Sequence, residues 1–357
     1  MRSLHDGKVL VIGGGVAGMQ AAIALAADGV EVLLLEKGSE LGGRLLRSHR
    51  TYPSLSPAKG MVDRLREEVR AAPSITVLTG SKVVQLERGE RFSAEVEEAS
   101  GKCLQRRVLE GDAIIVASGL EVVDAGQIPE LGFGRFPDAI TSEQFQGMMR
   151  DSDVKGLLRP SDSRPVRTLV FIQCVGSRVE KRGVPYCSAV CCGNAIKDAL
   201  LVREMDNSIL VYVLYIDIRM PAKGCEALYK KARERGVRFI RGQPSMVVRK
   251  AASNRLLVCG ENTLLKELYE ISADLVVLSV GLELGQDTKE LLLGLGVRMD
   301  VEGLPSTQES DSVSTSVPGV FVAGSCEAPK DVKDSLAQGS QAAQAAARYL
   351  RKGDGPD

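Results

Sequence analysis

The chain has 357 residues, 44% of them hydrophobic, which is enough for two domains that each bury a core. Its 46 lysines and arginines equal its 46 aspartates and glutamates, so the charge does not indicate nucleic acid or an anionic membrane surface as a partner. The amino terminus lacks the separate apolar core and cleavage site of a signal peptide. The apolar stretch from Val16 to Leu35 is interrupted by Asp28 and Gly29, which excludes a membrane span there. We therefore expect a soluble, cytoplasmic protein.

The first elements predict a dinucleotide-binding unit. They are a strand over 8–12, a glycine loop over 13–18, a helix over 19–27 and a strand over 31–35. In the G-x-G-x-x-G loop, Gly13 permits a tight turn, Gly15 lets a pyrophosphate approach the backbone, and Gly18 lets helix and strand pack closely. The helix N-terminus then offers N–H groups to phosphates. Glu36 follows the second strand, where a carboxylate accepts hydrogen bonds from a ribose 2′-hydroxyl.

Three further segments resemble FAD-binding flavoproteins that have two dinucleotide-binding domains. Residues 36–44 resemble their E-K-x4-G-G-R extension, 112–119 their A-x-G strand, and 318–325 their carboxy-terminal flavin motif, in which Ser325 replaces the usual aspartate. A helix predicted over 335–350 is expected to direct N–H groups at the flavin. The predicted FAD-binding residues are Gly13, Gly15, Val16, Ala17, Gly18, Glu36, Lys37, Gly42, Gly43, Arg44, Val83, Ala117, Ser118, Gly119, Gly324, Ser325, Lys330, Asp331 and Val332.

Because flavin motifs lie at both ends of the chain, the middle is predicted to be an inserted domain. We expect an FAD domain over 1–130 and 282–353, an inserted unit over 131–281 and a flexible tail over 354–357. Residues 135–166 are predicted to be surface connection. The inserted unit has strands predicted over 167–172, 209–216, 237–240 and 274–281 and helices over 189–204 and 224–235. The fold class is α/β, with two Rossmann-like domains of the thioredoxin reductase-like type.

Four cysteines stand where the second unit would otherwise carry its phosphate-binding glycines: Cys174, Cys187, Cys191 and Cys192. On a regular helix, positions 191 and 192 diverge by about 100°, so all four converge only if the Cys-Cys pair lies in a turn before the helix. The helix N-terminus would then face an anionic centre. Thiolates select zinc or an iron–sulfur cluster, and four buried structural cysteines are the alternative. The spacing does not decide among these three.

The cysteine segment also resembles a specific family. F-I-Q-C-V-G-S-R and Y-C-S-x-x-C-C, together with the amino-terminal G-G-G-x-A-G-M and the terminal G-V-F-V-A-G, are similar to the A subunit of heterodisulfide reductase. The resemblance covers nearly the whole chain. It implies a [4Fe–4S] cluster on the four cysteines beside FAD, a homodimer, and partner subunits similar to the B and C subunits. Since the chain lacks C-x2-C-x2-C-x3-C segments, it resembles the short form associated with sulfur oxidation.

Three functions follow as hypotheses. The first is an oxidoreductase subunit that stores electrons and relays them between FAD, cluster and partners, without a catalytic acid or base in this chain. The second is an NAD(P)H-dependent flavin disulfide reductase of the thioredoxin-reductase type, which the missing second glycine loop and the missing dithiol oppose. The third is a zinc-stabilised flavin-binding scaffold.

Overall fold

The computed structural model describes residues 7–100, 103–151, 156–250 and 254–352. The chain divides into two compact units. Unit 1 comprises Met1–Leu46, Lys59–Glu121 and Leu284–Asp357, and unit 2 comprises Arg47–Ala58 and Val122–Glu283. None of the helices in the described ranges has the length and apolarity required to cross a membrane.

Unit 1 contains a five-stranded parallel sheet. Its strands are β1 (Lys8–Ile12), β2 (Glu31–Leu35), β3 (Ile75–Leu78), β7 (Ala113–Val116) and β18 (Val320–Val322), in the order β18-β7-β1-β2-β3. The central strands are continuous apolar runs, as expected for a sheet covered on both faces. The helices of this unit are α1 (Val16–Ala27), α2 (Ala58–Ala71, which begins at the unit boundary), α6 (Gln286–Gly294) and α7 (Val332–Lys352). Gly339 of α7 lies so close to α1 that a Cβ there would meet the Ala17 carbonyl oxygen at 2.4 Å, and only a small residue permits this contact.

Unit 2 repeats the design with a second parallel sheet. Its strands are β9 (Ala139–Thr141), β10 (Thr168–Val175), β11 (Leu210–Tyr215), β12 (Arg238–Arg241) and β16 (Leu275–Val280), in the order β12-β11-β10-β16-β9. Its helices are α3 (Ser142–Asp151), α4 (Cys191–Met205) and α5 (Cys225–Glu234). β10 is buried along its whole length, so its carboxyl end and the loop that follows it have a fixed position in the unit.

Each unit also carries a three-stranded antiparallel sheet. In unit 1 this sheet is formed by β4 (Ser81–Arg88), β5 (Phe92–Ser100) and β6 (Cys103–Gly111), and in unit 2 by β13 (Pro244–Lys250), β14 (Arg255–Asn262) and β15 (Glu267–Ala273). The short strands β8 (Glu121–Val122) and β17 (Leu282–Glu283) lie where the chain passes between the units. The two-domain thioredoxin reductase-like fold class is therefore confirmed.

The structure differs from the sequence prediction in the connection 135–166 and at the unit boundaries. Residues 135–166 are more than surface connection, because they contain β9 and α3 and bury Phe145 and Met149 in the core. The unit boundaries fall at 121/122 and 283/284, where the sequence predicts 130/131 and 281/282, and Arg47–Ala58 packs with unit 2 although its neighbours in sequence belong to unit 1. Arg47–Ala58 belongs to unit 2 because Tyr52 and Leu55 pack against the hydrophobic core of that unit, whose residues lie far away in sequence. The predicted tail over 354–357 lies outside the described residues.

Candidate cofactor and cysteine sites

The glycine loop after β1 has two glycines that the fold itself requires. Gly13 has a φ of +108°, and a Cβ there would lie 2.4 Å from the Ala117 carbonyl oxygen. A Cβ on Gly18 would lie 1.8 Å from the Gly13 carbonyl oxygen. Gly15 differs, because its φ of −73° suits any residue and no atom lies within 4 Å of its Cβ position. Nothing within the described residues requires a glycine there, so the open space suits a cofactor that approaches the backbone.

Glu36 connects this loop to the end of β2. One of its carboxylate oxygens accepts the N–H of Gly14 at 2.7 Å and the other accepts that of Gly38 at 2.6 Å. Each oxygen keeps a second lone pair for a ribose hydroxyl. The Gly42 N–H also donates to the Gly14 carbonyl at 2.8 Å, and a Cβ on Gly43 would lie 3.1 Å from the Gly15 Cα. The two glycine motifs therefore form one surface.

The carboxy-terminal flavin motif contacts α1, the helix that follows the glycine loop. Gly324 has a φ of +68°, and a Cβ there would lie 2.6 Å from that of Ala17. The Lys330 ammonium donates to the Gly324 carbonyl at 2.8 Å and to the Glu327 carboxylate at 2.7 Å. Asp331 accepts the Asp334 N–H at 2.9 Å and caps α7. Lys330 and Asp331 thus shape the loop whose N–H groups we predict to face the flavin.

The other predicted FAD residues also lie in unit 1. Lys37 forms an exposed ion pair with Glu121 at 3.0 Å, and Val83 is a buried residue of β4. Ser118 accepts a hydrogen bond from Thr288 at 3.0 Å and donates to the Cys326 sulfur at 3.6 Å. Ala117, Ser118 and Gly119 follow β7, Arg44 lies on the 3-10 helix Gly43–Arg47, Ser325 lies on the 3-10 helix Gly324–Cys326, and Val332 begins α7. Burial raises the pKa of the Cys326 thiol to about 11.

Unit 1 also has a cavity of about 740 Å³, lined by Arg298, Thr307, Asp311, Arg348 and Tyr349 among others. None of the predicted cofactor residues lines it. A cavity of this size suits a small molecule, but it lies apart from the glycine motifs, so volume alone does not mark the flavin position.

In unit 2 three of the four predicted cysteines lie where β10 ends and α4 begins. Cys174 lies at the end of β10 with a φ of +59°, and Cys191 and Cys192 are the first two residues of α4. The Cys191 thiol is hydrogen-bonded to both other thiols. The pair therefore occupies the first helical turn, where we expected a turn before the helix. This arrangement still aims the helix N-terminus at the sulfurs.

The pKa values of the three thiols are shifted in different directions. The hydrogen bond with Cys191 lowers the pKa of Cys174 and lowers that of Cys192 to about 7. The pKa of Cys191 is raised well above its ordinary value by its hydrogen bonds to the other two and by burial. Since metals bind thiolates, the lowered pKa values of Cys174 and Cys192 favour the form in which these sulfurs act as ligands.

Cys187 does not contact this trio through any hydrogen bond among the described residues. It lies on the loop before α4, half-buried, and its sulfur accepts the Ala189 N–H at 3.4 Å. Within the described ranges, no three or more histidine, cysteine, aspartate or glutamate side chains form a group that could hold a metal ion. The four-cysteine ligand set remains a prediction, with three of its members brought into contact.

The charges around the thiols fit an anionic centre. Arg178 lies near Cys174, and its charge helps to lower the pKa of that thiol after the larger effect of Cys191. Arg178 also forms an ion pair of 2.9 Å with Asp217. Its buried Nη1 atom has no hydrogen-bond partner among the described residues. The backbone N–H of Arg219 donates to the Cys192 sulfur, whose thiol donates to the Asp217 carbonyl at 3.6 Å. Unsatisfied buried donors are rare in native proteins, and an anionic sulfur centre would supply acceptors here.

Buried contacts hold α4 in place against Arg47–Ala58. The fully buried Lys197 ammonium donates to the Arg50 carbonyl at 2.9 Å and lies 3.2 Å from Asp198. Gln146 accepts from Lys197 at 3.2 Å and donates to Asp198. A Cβ on Gly193, the residue after Cys192, would lie 2.3 Å from the Tyr52 ring. The helix that carries two cysteines thus has a defined position relative to this segment.

Comparison with known proteins agrees with this geometry. The pyridine nucleotide-disulphide oxidoreductase family matches residues 7–172. The iron–sulfur A subunit of CoB–CoM heterodisulfide reductase from Methanocaldococcus jannaschii is 31% identical over 98% of this chain and 65% of that protein. An A subunit of the same enzyme from Methanopyrus kandleri is 32% identical over 97% of this chain and 65% of that protein. The chain is therefore similar over nearly its whole length to the A subunits of heterodisulfide reductase.

Thioredoxin reductase from T. acidophilum has the same fold as this chain, with a TM-score of 0.67 and 17% identity over 97% of this chain and 100% of that one. The chain spans slightly less than two thirds of the length of the two methanogen relatives. The activity, substrates and partners of this chain are therefore proposals.

Sequence reasoning missed several residues at the heterodisulfide reductase-like cysteine site. Asp217 follows β11, the position where a Rossmann unit carries its ribose-binding acid, so its place in the pattern was a usable signal. Arg178 follows Cys174 by four positions in the same segment, but its charge alone did not distinguish it. Lys197, Gln146 and Tyr52 act across long sequence separations, and no local pattern marks them.

Proposed function

We propose that the chain is an FAD- and [4Fe–4S]-containing electron-transfer subunit of a heterodisulfide reductase-like complex. The observation that carries this proposal is the contact of Cys191 with both Cys174 and Cys192 at the N-terminus of α4. When bound, FAD can take up two electrons and pass them on one at a time, which matches the single-electron exchange of an iron–sulfur cluster.

We assign FAD to unit 1 and the cluster to unit 2. Gly15 and Gly43 form the backbone surface for a pyrophosphate, and Glu36 is the ribose acceptor. Cys174, Cys191 and Cys192 supply three thiolates, and we propose Cys187 as the fourth ligand, brought in by the loop before α4. The chain's role is to bind both groups, to exclude water from the three buried thiols, and to set the electrostatic potential around them.

Thiol or disulfide chemistry is assigned to partners. We propose B- and C-like heterodisulfide reductase subunits as those partners, a homodimer of this chain, and a cytoplasmic complex that functions in sulfur oxidation. Among the described residues the flavin loops carry no dithiol pair: Cys326, the cysteine of the carboxy-terminal motif, bonds to Ser118 rather than to another thiol. This arrangement supports relay of electrons in preference to direct disulfide reduction.

Chemical analysis of anaerobically purified protein tests the proposal. We expect about one FAD, four irons and four acid-labile sulfides per chain, with an EPR signal that changes on reduction with dithionite. Zinc without iron would contradict the cluster assignment. Rapid bleaching of the flavin by NADH alone would favour a thioredoxin reductase-like enzyme instead.

A further inference from the structure

Arg178 combines a half-buried position with an incompletely bonded guanidinium. Its side chain is 20% exposed and is held by Asp217 at 2.9 Å. Its backbone has a φ of +62°, a conformation that non-glycine residues rarely adopt. Nη1 is buried and has no hydrogen-bond partner among the described residues, although the charge lies beside the Cys174 thiol. The guanidinium therefore lies near the Cys174 sulfur in spite of a strained backbone at Arg178 and a buried N–H donor that has no partner among the described residues.

The surrounding charges leave a positive excess on the protein side of the site. Asp217 pairs with Arg178 and, at 3.7 Å, with Arg241. The positive charges of Arg178 and Arg219 both act on Cys192. While the thiols are neutral, the single negative charge of Asp217 therefore has the positive charges of Arg178, Arg241 and Arg219 around it. Fixed positive charge and donated hydrogen bonds at a sulfur centre favour its reduced, more negative state.

Asp217 also explains why the guanidinium stays at the thiols. Asp217 occupies the place of a ribose-binding acid in the second unit, but its carboxylate is bonded to Arg178. Asp217 also lines a cavity of about 480 Å³, together with Tyr215, Tyr229 and Arg241 among others. Asp217 therefore contacts both this cavity and the Arg178 guanidinium.

We propose that Arg178 donates a hydrogen bond to the sulfur of Cys174 in the cluster-loaded protein and thereby raises the reduction potential of the cluster. Asp217 is its positioning residue. This inference rests on the proposed function, because it requires the cysteines to bind the cluster. It adds a residue outside the ligand set that determines how readily the centre accepts an electron.

The test is an EPR-monitored redox titration of the full-length protein after iron and sulfide have been measured. The variants are R178M, which removes charge and donors, and R182M, a control on the same loop whose side chain is 58% exposed and pairs with Glu130 at 2.7 Å. We expect R178M to keep its iron and to make one-electron reduction about tenfold less favourable, a potential about 59 mV lower. R182M should titrate like the wild type.

The outcomes separate this inference from the proposed function. A wild-type protein without iron contradicts the proposed function. An iron-loaded R178M with an unchanged potential overturns the role of Arg178. If R178M loses the cluster, R178K decides, because lysine keeps the charge but not the fork that reaches Asp217 and Cys174 together. R178K should then titrate below the wild type, and an unchanged potential in R178K overturns the inference.

Discussion

The Lys197 ammonium of α4 donates a hydrogen bond of 2.9 Å to the backbone carbonyl of Arg50. Arg50 belongs to the segment Arg47–Ala58, which leaves unit 1 directly after the Gly42-Gly43-Arg44 motif and packs with unit 2. The segment that follows a predicted flavin loop is thereby attached to the helix that begins with Cys191 and Cys192. The same Lys197 ammonium forms a buried charge pair with Asp198. The contribution of this pair to the stability of the protein can be tested.

Replacement of Lys197 by methionine should destabilise the protein by about 3–5 kcal/mol, because it leaves the Asp198 carboxylate buried without its partner. The double variant K197M/D198N should recover part of this loss, since it removes the uncompensated charge. K230M is the control, because Lys230 is 76% exposed and its contact with Glu234 is 3.9 Å long. The melting temperatures of K197M, K197M/D198N and K230M are compared by thermal unfolding. A K197M protein that melts with the wild type would contradict the role of the pair.

Substitutions of Gly15 and Gly18 should distinguish a glycine needed for cofactor binding from a glycine needed for folding. Since the Cβ position of Gly15 is open, G15A should change the stability of the apoprotein by less than about 0.5 kcal/mol. It should still weaken FAD binding about tenfold, or about 1.4 kcal/mol, because the methyl group occupies the approach to the backbone. G18A should instead destabilise the fold, since its Cβ would lie 1.8 Å from the Gly13 carbonyl oxygen.

FAD titration of the apoprotein, followed by flavin fluorescence, and thermal unfolding without FAD provide the two readouts. G60A is the matched control, because Gly60 of α2 also has an open Cβ position and lies outside the predicted site. Equal FAD affinity in G15A and G60A would show that Gly15 does not contact the cofactor.

The local part of this fold could be predicted from the sequence, and the long-range part could not. The predicted ranges 8–12 and 31–35 match β1 and β2, because buried parallel strands are continuous apolar runs bounded by turn residues. The helix after the glycine loop begins at Val16 rather than at Met19, since Gly15 itself is the N-cap. The packing of Tyr52 on Gly193 connects residues far apart in sequence, and no periodicity encodes it.

The same distinction applies to the candidate site. Cys174, Cys187, Cys191 and Cys192 were recognisable as a set because they stand where the second unit would otherwise carry its phosphate-binding glycines. The Arg178–Asp217 ion pair of 2.9 Å was not, because charged residues occur throughout the sequence and only the fold selects which two meet. Ser325 in place of the usual aspartate was visible in the sequence, and the Lys330–Gly324 bond of 2.8 Å shows how its loop is held.

Cys326 should be inert although it lies in the predicted flavin motif. Burial raises the pKa of its thiol to about 11, so the thiolate that reacts with alkylating agents becomes abundant only above that pH. Iodoacetamide at about pH 8, below the ordinary pKa of a free thiol, should leave Cys326 unlabelled in the folded protein and should label it after denaturation in guanidinium. Peptide mass spectrometry provides the measurement. Labelling in the folded state would show that the thiol is accessible and contradict its role as a core residue.

The central claim is that the cysteine site of unit 2 binds a metal centre independently of the flavin. Its most direct test is the iron content of C191S compared with that of C259S, in which the replaced cysteine is half-buried on β14 and lies outside the proposed ligand set. Both variants are purified anaerobically, and iron and FAD are measured per chain. We predict that C191S loses its iron and keeps its FAD, while C259S retains both. Full iron in C191S would contradict the account, and loss of FAD together with iron would show that the two sites are not independent.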